Sequence, residues 1–459
     1  MLIFFSLSVF LHVFLLVSTQ FTLWPEMVVY PYLMNNGFIL YKDILNPYQP
    51  ILSYALAFFS KFFGYDPQPY KLLTICLILL TDLLIFVIAF KLFKSKKNAV
   101  FSTLLFVAFS IPFGANGLWH DLVQTPLILL SIFSFGKFLK TQKNNYFFWT
   151  FLFLTLAFFI KQQVIWFIFW LLIYSALKYK QKLINILLGN IHAFIPFILL
   201  MGFFTYIFLI KDAFNEYIFW TFTFPYFKAS SLPGYILFPA KRQIFILLIL
   251  TAAIIPYLSK RKKSWFIFGS FFSLLPFAYP RFDYFHLVPA LGVWSLIVGK
   301  SASQFKSKIG FLTILLTISL LSAYGIRFYF SNWTTETRFF ESNIYELSVN
   351  LKSIAKNNSD LIFIQNGPDQ LYPLADIIPS KPWGTQFPWY MELDDTQNKI
   401  IKGLENERVK YILSRNYDKG EKYDLGAYKP EALSSFIENK YKPYIQFSSN
   451  LILEKIDEN

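Results

Sequence analysis

One cysteine in 459 residues, Cys76, leaves nothing to pair with. A disulfide framework is excluded, and a lone thiol inside an apolar run is expected to serve packing. Charge is scarce too. Asp, Glu, Lys and Arg make up 15% of the chain, where a soluble domain carries about 25%. No phosphate loop, dinucleotide fingerprint, zinc-protease motif or redox cysteine pair occurs. The missing nucleotide module excludes ATP-driven transport but leaves secondary transport open. Residues Met1 to Phe21 lack the basic n-region and small-residue cleavage site of a signal peptide, so they are expected to form a retained first span.

What is abundant is apolar. The chain is 55% hydrophobic and holds 57 Phe, with recurring apolar runs of the length that a bilayer core of about 20 residues demands. Eleven spans are predicted, at roughly 1–22, 69–90, 98–114, 121–137, 146–161, 164–177, 186–210, 241–258, 264–280, 284–299 and 309–330. The fold class is a polytopic α-helical membrane protein with a long first extracytoplasmic loop and a small C-terminal α/β domain. The expected domains are 1–331, spanning the membrane, and 332–459, soluble and extracytoplasmic.

Acid is absent where base is concentrated. The stretches Lys91 to Lys97, Lys137 to Lys143, Lys178 to Lys182, Lys260 to Lys263 and Lys300 to Lys308 carry 17 of the 42 Lys and Arg and no Asp or Glu. The remaining 25 basic residues face 27 acidic ones, so the net charge of +15 marks topology and not a nucleic-acid groove. The same loops can touch anionic headgroups. With the N-terminus cytoplasmic, all five loops fall inside a plasma membrane, expected to be bacterial. Residues 23–68, 115–120, 161–163, 211–240, 279–283 and everything after 331 then share the outer face.

In loop 23–68 the stretch Pro50 to Phe63 is predicted to be an amphipathic interfacial helix. In the tail, helices are expected over 344–357 and 394–407, strands over 360–366 and 409–414, and a closing strand pair at 444–447 and 451–455. Asp369, Asp376 and the Trp383 to Trp389 segment can line a binding face or form ordinary loops.

Polar residues at the outer span ends are the candidates for chemistry. Glu26, just after the first span and fenced by aromatics, reads as a general base or as a span-end marker. Asp43 follows in the same loop. His120 and Asp121 open the fourth span. Their side chains diverge on a helix, which leaves helix capping by Asp121, sugar binding, or a metal shared with Glu26. Lys161, Gln162 and Gln163 interrupt an apolar region. Arg281, Asp283 and His286 sit in Tyr279 to His286, at the boundary of the tenth span, where Arg281 and Lys161 suit a lipid phosphate, although Arg281 can equally pair with Asp283 or snorkel. Asp82 is a separate intramembrane acid expected to pair with one of these groups or reach a cavity.

The run Leu23-Trp24-Pro25-Glu26-Met27, then Tyr30, Asn36-Gly37, Leu40-Tyr41-Lys42-Asp43, Pro47 and Pro50, ending in Phe62-Phe63-Gly64, resembles the first outer loop of integral-membrane glycosyltransferases with the C-type fold. These are family-39-like enzymes that use polyprenyl-phosphate sugars, relatives of protein mannosyltransferases and aminoarabinose transferases. Where many members carry an acidic pair, this chain has Pro25-Glu26. The resemblance implies Glu26 as catalytic base and Asp121 as the second acidic position, with a divalent cation (Mg or Mn) at Glu26 and Asp121. It implies Arg281, Lys161 and His286 at the donor phosphate, and it leaves Asp43, His120, Gln162 and Asp283 for the sugar or acceptor. The implied partners are the bilayer, a polyprenyl-phosphate sugar, and a glycan, lipid or protein acceptor. The implied reaction is inverting sugar transfer to a hydroxyl. The rival reading is a secondary transporter or a lipid or glycan flippase, which would need a central polar path and paired broken helices.

Overall fold

The computed structural model describes residues 2–232, 234–258, 264–302, 308–355, 361–383, 388–393, 395–405, 409–417, 429–447 and 449–456. The basic stretch Lys260 to Lys263, residues 303–307 of the last basic stretch, and residues 384–387 of the Trp383 to Trp389 segment lie outside the described residues. The chain forms two compact units. One holds residues 1–22, 70–203 and 238–336; the other holds 23–69, 204–237 and 337–459.

The first unit is helical. Each of the eleven predicted spans falls on helix, from Leu2–Ser18 to Lys308–Ser331. Pro67–Phe93, His120–Thr141, Ile191–Ile210 and Lys308–Ser331 are long and apolar enough to cross a bilayer. The span predicted over 186–210 is interrupted, with Leu183–Gly189 leading through a short 3₁₀ turn to Ile195–Ile210. At the centre runs Val288–Ala302, whose Val288, Leu291, Val293, Trp294 and Ile297 are all buried. A helix apolar all round belongs in an interior. Its one polar ring atom is satisfied, since Trp294 Nε1 donates to the Leu250 carbonyl at 3.0 Å.

Three helices of this unit meet at a buried polar staple. His12 Nδ1 lies 2.7 Å from Asp82 Oδ2 and His12 Nε2 lies 2.9 Å from Ser110 Oγ, all three side chains being buried. Polar side chains that bond across helices act as glue where lipid supplies no hydrophobic drive between them. Asp82 pairs inside the bundle with His12, and not with one of the outer-face groups expected for it. Cys76 departs from expectation. It is exposed on Pro67–Phe93 and not packed, because Thr74 and Ile78 on either side of it are the buried ones and a two-residue step turns it to the opposite face.

The second unit gathers three separated segments. Its sheet runs in the order Leu361–Gln365, Val409–Arg415, Asn450–Lys455, Tyr441–Phe447, the first pair parallel and the other two antiparallel. Thr396–Leu404 turns Thr396, Ile400 and Leu404 inward, one face at four-residue spacing. Glu431–Lys440, which escaped the sequence reading, buries Leu433 and Ile437 in the same core as Phe363 and Ile412. The first outer loop, expected with the spanning domain, packs in this unit with the tail. The Trp383 amide donates to the Asp43 carbonyl at 2.8 Å, and the Tyr30 and Trp383 rings meet edge to face at 5.7 Å. Tyr41 of the same loop packs on Phe208 and Tyr217, at 5.0 and 5.1 Å.

The helix predicted over Pro50 to Phe63 is observed with those bounds. Pro50 presets its first turn, and Gly64 at φ 72° ends it. Leu52, Ser53, Leu56 and Ser60 are buried, while Phe58, Phe62 and Phe63 are exposed. A second helix in the loop, Glu26–Asn35, begins at Glu26 itself.

Candidate active site

Within the first unit, three candidates picked from distant parts of the chain come together. Asp121 Oδ2 lies 2.7 Å from Lys161 Nζ and 2.8 Å from His286 Nδ1, and Lys161 Nζ lies 3.2 Å from the same ring nitrogen. The Asp121 and Lys161 side chains are essentially closed to solvent, and that of His286 is 11% exposed.

Each member is aimed by local structure. Asp121 sits in the first turn of His120–Thr141, where the helix dipole favours a negative charge. Lys161 ends Asn144–Ile160 in an extended conformation (φ −156°, ψ 124°), and a short 3₁₀ turn then restarts the chain as Ile165–Tyr179. Gln124 holds that break open. Its Nε2 donates to the Ala157 and Lys161 carbonyls, both at 2.7 Å. His286 arrives through a close approach. Gly114, at φ +79°, lies so near Phe285 that a Cβ there would come within 2.9 Å of the Phe285 Cβ. Only glycine fits both the turn and the contact. Replacing Gln124 by Leu would remove two buried hydrogen bonds, leaving the Ala157 carbonyl with the Lys161 amide at 3.0 Å and the Lys161 carbonyl with the Val164 amide at 3.5 Å. The expected loss is about 2 kcal/mol, read as a lower thermal midpoint in detergent; an unchanged midpoint would show that the break holds without it.

The cluster is a buried ion pair with a switchable neighbour. Nδ1 of His286 can donate to Asp121 or accept from Lys161, but not both at once. Nearby, Asp283 accepts from the Tyr284 amide at 2.8 Å and so caps the 3₁₀ turn that carries His286. Gln163 bonds the Tyr279 carbonyl, tying the helix break to the Tyr279–Asp283 turn. Arg281 is half-buried on that turn, Gln162 is buried beside Lys161, and His120 is buried with its ring edge-on to Trp119. One cation went unnoticed in the sequence: the Arg242 guanidinium lies 5.3 Å from the Tyr324 ring, which in turn packs on Tyr284.

Of the two acids expected to share a cation, Asp121 lies in this cluster, with its second oxygen, Oδ1, buried and without a hydrogen-bond partner, and Glu26 belongs to the second unit. Asp121 already receives an ammonium and an imidazole on one oxygen. Among the described residues, no three His, Cys, Asp or Glu side chains converge as ligands.

In the second unit, Glu26 is 4% exposed at the start of its helix. The Tyr390 hydroxyl is held well above the usual tyrosine range, first by burial and then by Tyr235, Tyr48, Tyr30 and the Glu26 charge. Tyr390, from the tail, therefore stays a neutral phenol within range of the Glu26 carboxylate. It is packed at 5.2 Å against both Trp220 and Phe224 of the π-helix Phe219–Lys228. Asp43 serves local structure, its Oδ2 accepting from the Ile39 amide at 2.8 Å and lying 3.3 Å from Lys381 Nζ. Asp376 accepts from the Tyr32 hydroxyl at 3.0 Å, and Asp369 is buried.

A family model described as dolichyl-phosphate-mannose-protein mannosyltransferase matches residues 46–206. No curated protein sequence matches the chain. Among solved structures, 99% of the chain superimposes on 98% of ArnT from Cupriavidus metallidurans bound to undecaprenyl phosphate, with a TM-score of 0.64 and 10% identity. The same protein in the apo state matches at a TM-score of 0.62 and 10% identity, over 99% of this chain and 97% of that one. The chain has the ArnT fold from end to end, and the resemblance to membrane glycosyltransferases of the C-type fold is borne out.

Proposed function

We propose that the protein transfers a sugar from a polyprenyl-phosphate donor to an acceptor hydroxyl at the outer face of a bacterial plasma membrane, with inversion. The observation that carries this reading is the convergence of Asp121, Lys161 and His286 at a helix break. An ammonium held by a buried carboxylate is a fixed positive charge, the feature that a phosphate leaving group needs. The binding of undecaprenyl phosphate by ArnT, whose fold the chain shares, supports the same donor class.

In the proposed reaction Glu26 takes the proton of the acceptor hydroxyl. The oxygen attacks the anomeric carbon opposite the phosphate, the bond from that carbon to the phosphate oxygen breaks, and the electron pair leaves with polyprenyl phosphate. Lys161 and Arg281 neutralise the charge that develops there, and His286 supplies or holds a proton beside Lys161. His120 and Gln162 face the sugar. Asp43 and Asp283 act through the backbone they organise. The eleven helices cross the membrane with the basic loops inside and the tail outside, as the charge bias supports.

The test supplies a series of polyprenyl-phosphate sugars to the purified protein and measures released polyprenyl phosphate. Release that depends on both donor and acceptor is the expected result. Movement of intact donor across vesicles, with no release from any donor, would favour the flippase reading and overturn this one.

A further inference from the structure

Leu2–Ser18 supplies none of the three side chains in the Asp121 cluster, yet the first segment grips the chain leading into that cluster at two points. The first grip is the His12 contact with Ser110. The Ser110 carbonyl accepts from the Phe113 and Ala115 amides, at 3.1 and 3.0 Å, and so starts the turn that follows. The second grip is Asn116, which is 4% exposed. Its Nδ2 lies 3.1 Å from the Leu16 carbonyl oxygen and 3.2 Å from the Thr19 carbonyl, the Thr19 hydroxyl and the Gln20 carbonyl. A helix leaves its last carbonyls without partners of its own. Here one side chain from a distant loop reaches them.

The amide can face only one way. Thr19 Oγ1 gives its own hydrogen to the Leu15 carbonyl at 2.7 Å, so all four neighbours of Nδ2 are acceptors. Asn116 Oδ1 is left buried with no hydrogen-bond partner among the described residues. The backbone repeats the grip. The Thr22 amide donates to the Asn116 carbonyl at 3.0 Å, and a Cβ on Gly117 would lie 3.2 Å from the Thr22 carbonyl oxygen. The same turn also meets the chain beside His286. Gly114 abuts Phe285, and the Trp119 and Phe285 rings lie edge to face at 5.7 Å. A shift of this turn therefore moves Asp121 and the neighbour of His286 together.

We propose that Asn116 is a positioning residue for the transfer reaction. By tying the end of the first helix to the turn before Asp121, it sets the separation of Asp121, Lys161 and His286. The inference rests on the function proposed above. A cap that only stabilised the fold would act independently of Lys161, which Asn116 does not touch.

The test is a double-mutant cycle on the full chain in detergent, combining Asn116→Leu with Lys161→Met. Asn116→Leu keeps the volume and removes the donors. Alone it is expected to lower kcat/KM for a polyprenyl-phosphate sugar by about tenfold, within what a misplacement remote from the chemistry can cost. The donor KM should rise, because a merely unfolded fraction would lower the apparent kcat and leave KM alone. In the Lys161→Met background the further loss should be under about twofold, since no ammonium is left to place. Thermal midpoints of the same four proteins need no turnover. They should be non-additive, the freed turn letting Asp121 relax once Lys161 is gone. If Asn116→Leu fails to fold, Asn116→Ser, which keeps one donor, takes its place with a smaller loss expected. An unchanged donor KM, or a full tenfold further loss in the Lys161→Met background, would overturn the proposal. If no donor is turned over, the transfer reading fails and the midpoints decide, additive shifts overturning the role of Asn116.

Discussion

Glu26→Gln is expected to lower the rate of sugar transfer by roughly 10²–10⁴-fold, the range that a positioned general base contributes, while leaving donor affinity close to that of the wild type. The carboxylate opens Glu26–Asn35 and is 4% exposed, so an isosteric amide fits the same space without disturbing the helix. The amide cannot accept the acceptor's proton, so the loss should fall on kcat and not on the donor KM. Tyr390 sharpens the test. Its buried hydroxyl feels the Glu26 charge, and its ring is held by Trp220 and Phe224. Tyr390→Phe keeps those ring contacts and removes only the hydroxyl, so a smaller fall in kcat is expected than for Glu26→Gln. Steady-state kinetics with a single donor reads both. Equal transfer by the wild type and Glu26→Gln would remove Glu26 as the base, even with the donor class unchanged.

The apolar helices were legible because a bilayer demands long apolar runs, and the tail's strands were legible because apolar residues cluster between turn residues. Asp121, Lys161 and His286 stood out singly as polar groups at span ends. Their meeting did not, since 40 to 165 positions separate them and no local pattern encodes a contact at that range. His12 and Gln124 were missed for a different reason. Each is one polar residue inside an apolar helix, and composition does not say whether such a residue faces lipid or a partner. The partner of His12 is Asp82, for which the sequence suggested an outer-face partner or a cavity. Cys76 was misplaced because Pro67–Phe93 is apolar on every side and offers no stripe from which to read an inward face. The joining of the first outer loop to the tail rests on Asp43, Tyr30 and Trp383, three residues whose pairing only tertiary structure reveals.

Lys161→Met should be the most damaging single change in the first unit. It strips the ammonium from Asp121 Oδ2 and leaves a carboxylate with no exposed surface beside His286 alone. Breaking a buried pair in this way costs about 3–5 kcal/mol, far more than the pair adds over apolar residues of similar size. Adding Asp121→Asn to Lys161→Met removes the stranded charge as well. The double variant should therefore recover most of the lost stability, and the two changes should be strongly non-additive. Tryptophan fluorescence during thermal unfolding in detergent reads this directly. A double variant no more stable than Lys161→Met would show that the two groups do not depend on each other. The same double variant separates holding the fold from handling the donor. Folded but without the positive charge, it should bind polyprenyl-phosphate sugar more weakly and release lipid phosphate more slowly, because in the proposed reaction the ammonium that Asp121 keeps in place meets the phosphate. Full transfer activity in the stable double variant would confine Asp121 and Lys161 to architecture and leave the phosphate to Arg281.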